Sequence, residues 1–184
     1  REFSAPVILE REQTNAERAF LLAHDTDTFN RWEAGNALAA DVLVRMVRDD
    51  ASADLGYLNG LLAVLRDDTL DPAFRALILS LPSEGETAQA LHASGTTPDP
   101  LAIHHTHTTL KLQIAQHLQD HLVSAYAEVA VTGDYSPDAM SAGRRALRNT
   151  VLAMLTRLDG GKQAAAQFAD ADNMTQQLTA LRTL

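Results

Sequence analysis

A chain of 184 residues with 46% hydrophobic and 21% charged residues can bury one large core or two small ones, as an ordinary globular protein does. Its formal net charge of −9 sets the average surface against nucleic acid and anionic membranes, whose phosphates would repel it. With no cysteine it has no disulfide, iron–sulfur or cysteine–zinc chemistry, a composition that fits a reducing cytoplasm.

No apolar run approaches the roughly 20 residues that span a bilayer, so no membrane partner is expected. The opening stretch REFSAPVILERE carries charges where the apolar core of a signal peptide would lie. Within it, FSAPVIL (residues 3–9) has strand character, and Pro6 confines that strand to an edge or a bulge. A lone strand cannot satisfy its own backbone, which is a first sign of a piece of something larger.

Beyond residue 12 the pattern is helical throughout. Thr14-Asn-Ala-Glu17 has the spacing of a capping box. Asp27 or Thr28 caps a second helix, along which Phe29, Trp32, Leu38, Val42, Leu43, Met46 and Val47 recur at helical spacing. Asp49-Asp50 opposes the macrodipole and marks its end. Ser52 is expected to open a third helix, with Leu55, Leu58, Leu62 and Leu65 on one face.

Asp71-Pro72 reads as a cap followed by proline at the first helical position, and the run it opens stops before Pro82. Ser83-Glu-Gly-Glu86 is another capping box, with Gly95 closing that helix. Asp99-Pro100 starts the longest helix, expected to run to about residue 131. Ser136-Pro137 starts the next, which ends near Gly160-Gly161, and shorter helices follow from Lys162 and from about Asn173. The periodicity continues through Leu178, Leu181 and Leu184, a second sign of a larger whole. Eight or nine helices with short loops predict an all-α, irregular helical array, solenoid-like and superhelical. No repeat of TPR, ankyrin or HEAT type stands out.

Five of the seven histidines fall in IHHTHTTLKLQIAQHLQDH, which ends in His117-x-x-Asp-His121, one methylene short of an inverted zinc-peptidase motif. On this helix Leu110, Ile114, Leu118, Leu122, Ala125, Tyr126 and Val129 form an apolar stripe; His104 and His107 fall in or near it and His105 away from it. The ten residues from His107 to His117 rise about 15 Å, too far for a shared metal. His117 and His121 can face each other one turn apart, but no third protein ligand is nominated. Histidines edging a packing helix are the simpler reading.

HExxH, a phosphate loop, GxSxG and a cysteine nucleophile are all absent from the sequence. Gly160-Gly161-Lys162 lacks the rest of a P-loop and reads as a helix–helix turn. Arg144, Arg145 and Arg148 form the densest basic patch, expected to be a solvated face paired with local acids. Arg31-Trp32-Glu33 carries the sole tryptophan, either buried with flanking surface charges or anchored against another domain.

Four segments carry a family resemblance: FSAPV, HDTDTFNRWEAGNAL, DDTLDPAFRALILSLPSE and ADNMTQQLTAL, in that order. Together they resemble the proteobacterial aminopeptidase N branch of the M1 zinc metallopeptidases, over essentially the whole chain. The resemblance implies that residues 1–12 are the terminal strand and linker of a preceding β-sandwich domain. Residues 13–184 would then be the first part of a C-terminal helical domain. In such enzymes zinc is held by two histidines of HExxH and a downstream glutamate, and GxMEN recognises the substrate amine. Neither motif occurs here, so no catalytic or metal residue carries over.

The resemblance therefore implies a cytoplasmic parent enzyme that removes N-terminal amino acids from peptides, with its zinc in another domain. This chain would be an inactive helical part that closes over the active-site cavity. Its partners would be the parent's other domains, docked through Arg31, Trp32, Glu33 and Asn173, and the parent's peptide substrates. The rival readings are a free-standing helical interaction module and a small metal-dependent hydrolase built on His117 and His121.

Overall fold

The computed structural model describes residues 13–184, which form nine helices and no strand: α1 (Asn15–His24), α2 (Thr28–Asp49), α3 (Leu55–Arg66), α4 (Pro72–Ile78), α5 (Glu84–Ala93), α6 (Pro100–Glu128), α7 (Ala139–Asp159), α8 (Lys162–Asp170) and α9 (Met174–Thr183). The strand expected at residues 3–9, and the domain boundary expected after residue 12, fall outside the described residues.

Local chemistry starts most of these helices where the sequence indicates. Thr14 and Glu17 make the full capping box of α1, and Ser83 and Glu86 that of α5. Asp27 accepts from the amides of Phe29 and Asn30, and Asp71 from those of Ala73 and Phe74 with Pro72 at the first helical position. Asn173 caps α9 through the amide of Gln176. The turn between α7 and α8 places Gly160 and Gly161 in succession at φ 67° and φ 90°, a conformation that side chains with a Cβ resist.

Three boundaries differ from expectation. Asp54, not Ser52, caps α3, because its carboxylate reaches the Gly56 amide. Asp138, not Ser136, caps α7 by accepting from the Ser141 amide; hydrogen bonds from the Ser136 side chain first, and then from Ser141, hold its carboxyl well below the usual range. Helix α6 stops at Glu128, before the expected residue 131. The buried face of α3 also rotates: Tyr57, Leu58, Leu61, Val64 and Leu65 are buried, whereas Leu55 is 66% exposed.

The elements assemble around α6, which packs against α2, α3 and α5 on one side and α7 on the other. Helix α1 lies across α2 and α3, while α7 carries α4, α8 and α9. The whole expected stripe of α6, from Leu110 to Val129, is buried, joined by Ile103 and Ala115. With Leu22, Leu38, Leu43, Leu61 and Leu147 it forms a continuous core, whose burial is the main favourable term in folding.

The buried Gln167 ties four helices together. Tyr126 of α6 donates to its Oε1 at 2.8 Å, and its Nε2 donates to Asn149 Oδ1 of α7 and to the Gln176 carbonyl of α9, both at 3.2 Å. A satisfied buried network of this kind fixes the register of the helices it joins.

Candidate functional site

Arg31 sits at the first turns of α2 and is 5% exposed. Its Nε donates to the Leu22 carbonyl at 3.0 Å and its Nη2 to the Ala23 carbonyl at 3.1 Å, both at the end of α1. Its Nη1 meets Asp67 Oδ2 at 3.2 Å, just past α3. The Asp67 carboxyl is held below its usual range, first by the Thr69 hydroxyl and then by Arg31. The guanidinium thus satisfies carbonyls left without helical partners and places a cation at the negative end of α1.

The same device recurs. Arg75 at the start of α4 is 7% exposed and donates to the Leu65 carbonyl at the end of α3. Burial pushes its pKa below the ordinary arginine value. Arg144 of α7 donates to the carbonyls of Glu128 and Ala130, at 2.8 and 3.1 Å, where α6 ends. In three places an arginine early in one helix caps the C-terminal end of another.

The arginine cluster of α7 is therefore not a solvated face paired with acids, as its charge had suggested. Arg145 is 4% exposed, donates to the Ser136 carbonyl at 2.7 Å and lies 4.5 Å from the Tyr135 ring centroid. Arg148 lies 4.4 Å from the centroid of Tyr126. Backbone carbonyls and aromatic faces take the place of carboxylates.

The other residues singled out for docking divide by exposure. Trp32 is half-buried against the core beside the exposed Phe29, whose ring centroid lies 6.0 Å away, and Glu33 is exposed. Glu33 also lines a pocket with Arg18, Asp25 and Asn30. Asn173 spends its side chain locally, on Gln176 and Asp172.

The histidines do not converge. His104 is exposed and its Nδ1 donates to Glu84 at 2.9 Å, which lowers the pKa of that carboxyl. His107 alone is buried, 3% exposed, with Nε2 at 2.9 Å from the Thr87 hydroxyl. Because that hydroxyl donates to the Ser83 carbonyl, both bonds coexist when Nε2 carries the proton. Burial foremost, then the neighbouring Lys111 charge, lowers the pKa of His107. His117 donates to Asn59 Oδ1 at 3.0 Å, while His121 faces a separate pocket with Arg66, Arg75, Asp68 and Glu128. Among the described residues no three His, Cys, Asp or Glu side chains come together as a metal site. The groups present therefore do not fit a zinc ion, whose sites use three or four such ligands.

A cleft of about 500 Å³ opens between the α4–α5 connection and helices α6, α7 and α9. Leu79, Leu81, Pro82, Ile114 and Met154 supply apolar wall, and Lys111, Arg157, Asn149 and Thr150 supply polar groups. The charge sequence read as a surface feature hides this site, because Lys111 and Arg157 lie 46 residues apart on different helices. Among the described residues, no helix is long and apolar enough to cross a membrane.

Comparison with known proteins agrees with this architecture. Residues 15–184 match the family model described as "Domain of unknown function (DUF3458_C) ARM repeats". Aminopeptidase N of Caulobacter vibrioides is 39% identical over 98% of this chain, and that of Escherichia coli is 33% identical over the same share. Aminopeptidase N of Haemophilus influenzae is 31% identical, again over 98% of the chain. The chain spans about a fifth, 21%, of the length of each of these relatives. A crystal structure of Legionella pneumophila aminopeptidase A in complex with aspartic acid shares the fold, with a TM-score of 0.78 at 24% identity over 98% of this chain and 22% of that one. The chain belongs to the DUF3458_C family of ARM-repeat domains and is homologous to a helical segment of aminopeptidase N.

Proposed function

We propose that this chain serves as the non-catalytic helical domain of a cytoplasmic M1-type zinc aminopeptidase that removes N-terminal amino acids from peptides. The observation that carries the reading is similarity along 98% of the chain to only 21% of aminopeptidase N, in a sequence with neither HExxH nor GxMEN. Zinc and the water it activates then belong to another part of the enzyme, and no step of the reaction runs through residues of this chain. Its role is to cap the active-site cavity and restrict what enters.

Docking onto the rest of the enzyme falls to the face that bears Trp32 and Glu33. Arg31 supports that face from behind by fixing α2 to the end of α1, and Asn173, which sets the start of α9, belongs to a second, separate point of docking. An aromatic side chain with exposed area beside a charge suits an interface that is partly apolar and partly polar.

The test uses the full-length enzyme carrying Trp32→Ala together with Glu33→Ala. Turnover of a single-residue chromogenic amide should be retained, while cleavage of long, folded polypeptide termini should rise as the cavity loses its cover. Unchanged selectivity in a folded variant would sink the capping role. Zinc-dependent turnover by the 184-residue chain alone would sink the non-catalytic assignment. A chain encoded without any HExxH-bearing part would favour the free-standing interaction module.

A further inference from the structure

We propose that the cleft between the α4–α5 connection and helices α6, α7 and α9 binds an organic carboxylate with a short aliphatic body. Lys111 of α6 and Arg157 of α7 bring two cations to this single cleft, and neither has a hydrogen-bond or ion-pair partner among the described residues. Glu84, the one acid at the rim, is engaged by His104 at 2.9 Å. In a chain of net charge −9, a cleft with two cations and one acid, that acid already bonded to His104, is a local reversal of sign.

The neutral groups point the same way. Asn149 commits its Oδ1 to Gln167, so the Asn149 group that remains is the NH2 donor. Thr150 adds a hydroxyl at the same wall. Ammonium, guanidinium and carboxamide NH2 are all donors, and carboxylate or phosphate oxygens are their acceptors. Burial and then the Arg157 charge lower the pKa of Lys111, and the Glu84 carboxylate offsets them only in part.

The walls decide between those anions. Leu79, Leu81, Pro82, Ile114 and Met154 offer an apolar lining that inorganic phosphate cannot use but a branched aliphatic stem can. The carboxylate could come from a free branched-chain acid or from the C-terminal end of a peptide. Both present one carboxylate beside an aliphatic group. The site stands independently of the capping role proposed above, because it lies within this chain.

The 184-residue chain is titrated with isocaproate, isocaproamide, inorganic phosphate and acetyl-alanyl-leucine, with amide and methyl NMR shifts as readout. Isocaproate should shift the residues lining the cleft and saturate, whereas isocaproamide and phosphate should bind at least about tenfold more weakly. Lys111→Met, nearly isosteric, and Arg157→Gln, at an exposed position, should each weaken isocaproate binding by about tenfold with the rest of the spectrum unchanged. Tighter binding of the dipeptide than of isocaproate identifies a peptide terminus as the source, and the reverse ranking a free acid. Equal binding of the neutral amide, phosphate binding as tight as isocaproate, no saturable shift, or indifference to Arg157→Gln would each overturn the proposal.

Discussion

The Nε of Arg31 donates to the carbonyl oxygen of Leu22 at 3.0 Å, joining the first turns of α2 to the last turn of α1. The same guanidinium holds Ala23 and Asp67, so one side chain fixes three chain segments. Removing it leaves the Leu22 carbonyl buried with no donor, and such a group costs about 1–3 kcal/mol. Arg31→Leu should therefore lower the unfolding free energy by about 2–4 kcal/mol in urea titration. Arg31→Lys should recover little of it, since an ammonium cannot address three acceptors in a plane. A loss within the range of ordinary surface substitutions would show that the latch is incidental.

Leu22 of α1 also sits against glycines of both α2 and α3. A Cβ built on Gly35 of α2 would lie 2.9 Å from Leu22 Cδ1, and one on Gly60 of α3 only 2.7 Å from Leu22 Cδ2. Alanine at Gly60 gains about 1 kcal/mol of helix propensity but meets the side chain of a fully buried leucine, also crowded from Gly35, and overpacking costs about 1–3 kcal/mol. Gly60→Ala should thus be net destabilising in the wild-type background. Combined with Leu22→Val it should cost less than the sum of the two single changes, a coupling that a double-mutant cycle measures. Strict additivity would mean that Leu22 relaxes without cost.

The helices were legible in the sequence because their signals are local: the capping boxes at Thr14 and Ser83, Asp71-Pro72, and the stripe from Leu110 to Val129 all reappear. What escaped was tertiary. The face of α3 turned because Tyr57 and Leu61 are fully buried while Leu62 only flanks the core and Leu55 is exposed, and period alone does not choose among leucines on all sides. The arginines escaped because charge suggests solvent, while the carbonyls that receive them end the preceding helix, 8 to 16 residues back, and only the packing angle of the two helices brings them within reach. One signal was available: DTFNR and DPAFR recur 44 residues apart, cap and latch together, a spacing within the range of two- or three-helix repeats. Five residues with two identities are too little to declare a repeat without knowing what the arginine does.

The candidate sites divide along the same line. The absence of HExxH and GxMEN was visible at once, as was the aminopeptidase resemblance. Lys111 and Arg157 stood in view as ordinary charges, and only the packing of α6 against α7 brings them to one cleft.

The His107 ring links burial to pH. It is hydrogen-bonded to Thr87 and faces Glu84 from α5 and His104 and Lys111 from its own helix. Its folded pKa lies below the ordinary 6.5, so below that pH the unfolded chain binds the proton and the folded chain resists it. The stability this contributes is complete above about pH 6.5 and is lost progressively as pH falls from there through the lower folded pKa. Urea midpoints between pH 7.5 and 5 should therefore fall less steeply for His107→Gln than for the wild type. His105→Asn, at an exposed histidine that does not enter the surroundings of His107, serves as the control. Parallel slopes for wild type and His107→Gln would remove His107 as the source of the pH dependence.

His117 and His121 form the pair that most resembles peptidase chemistry, and their surroundings argue against it. His117 is held by Asn59 at 3.0 Å, while His121 opens on a separate pocket with Arg66, Arg75, Asp68 and Glu128, so the two rings are committed to different surroundings. A catalytic zinc needs a third protein ligand, and none of the described residues completes one with this pair. The 184-residue chain supplied with equimolar zinc should thus hydrolyse amino-acyl amides no faster than zinc alone. His121→Ala should leave that blank rate unchanged while altering thermal stability only slightly. EDTA-sensitive turnover that disappears in His121→Ala would restore the hydrolase reading and place the chemistry in this chain after all.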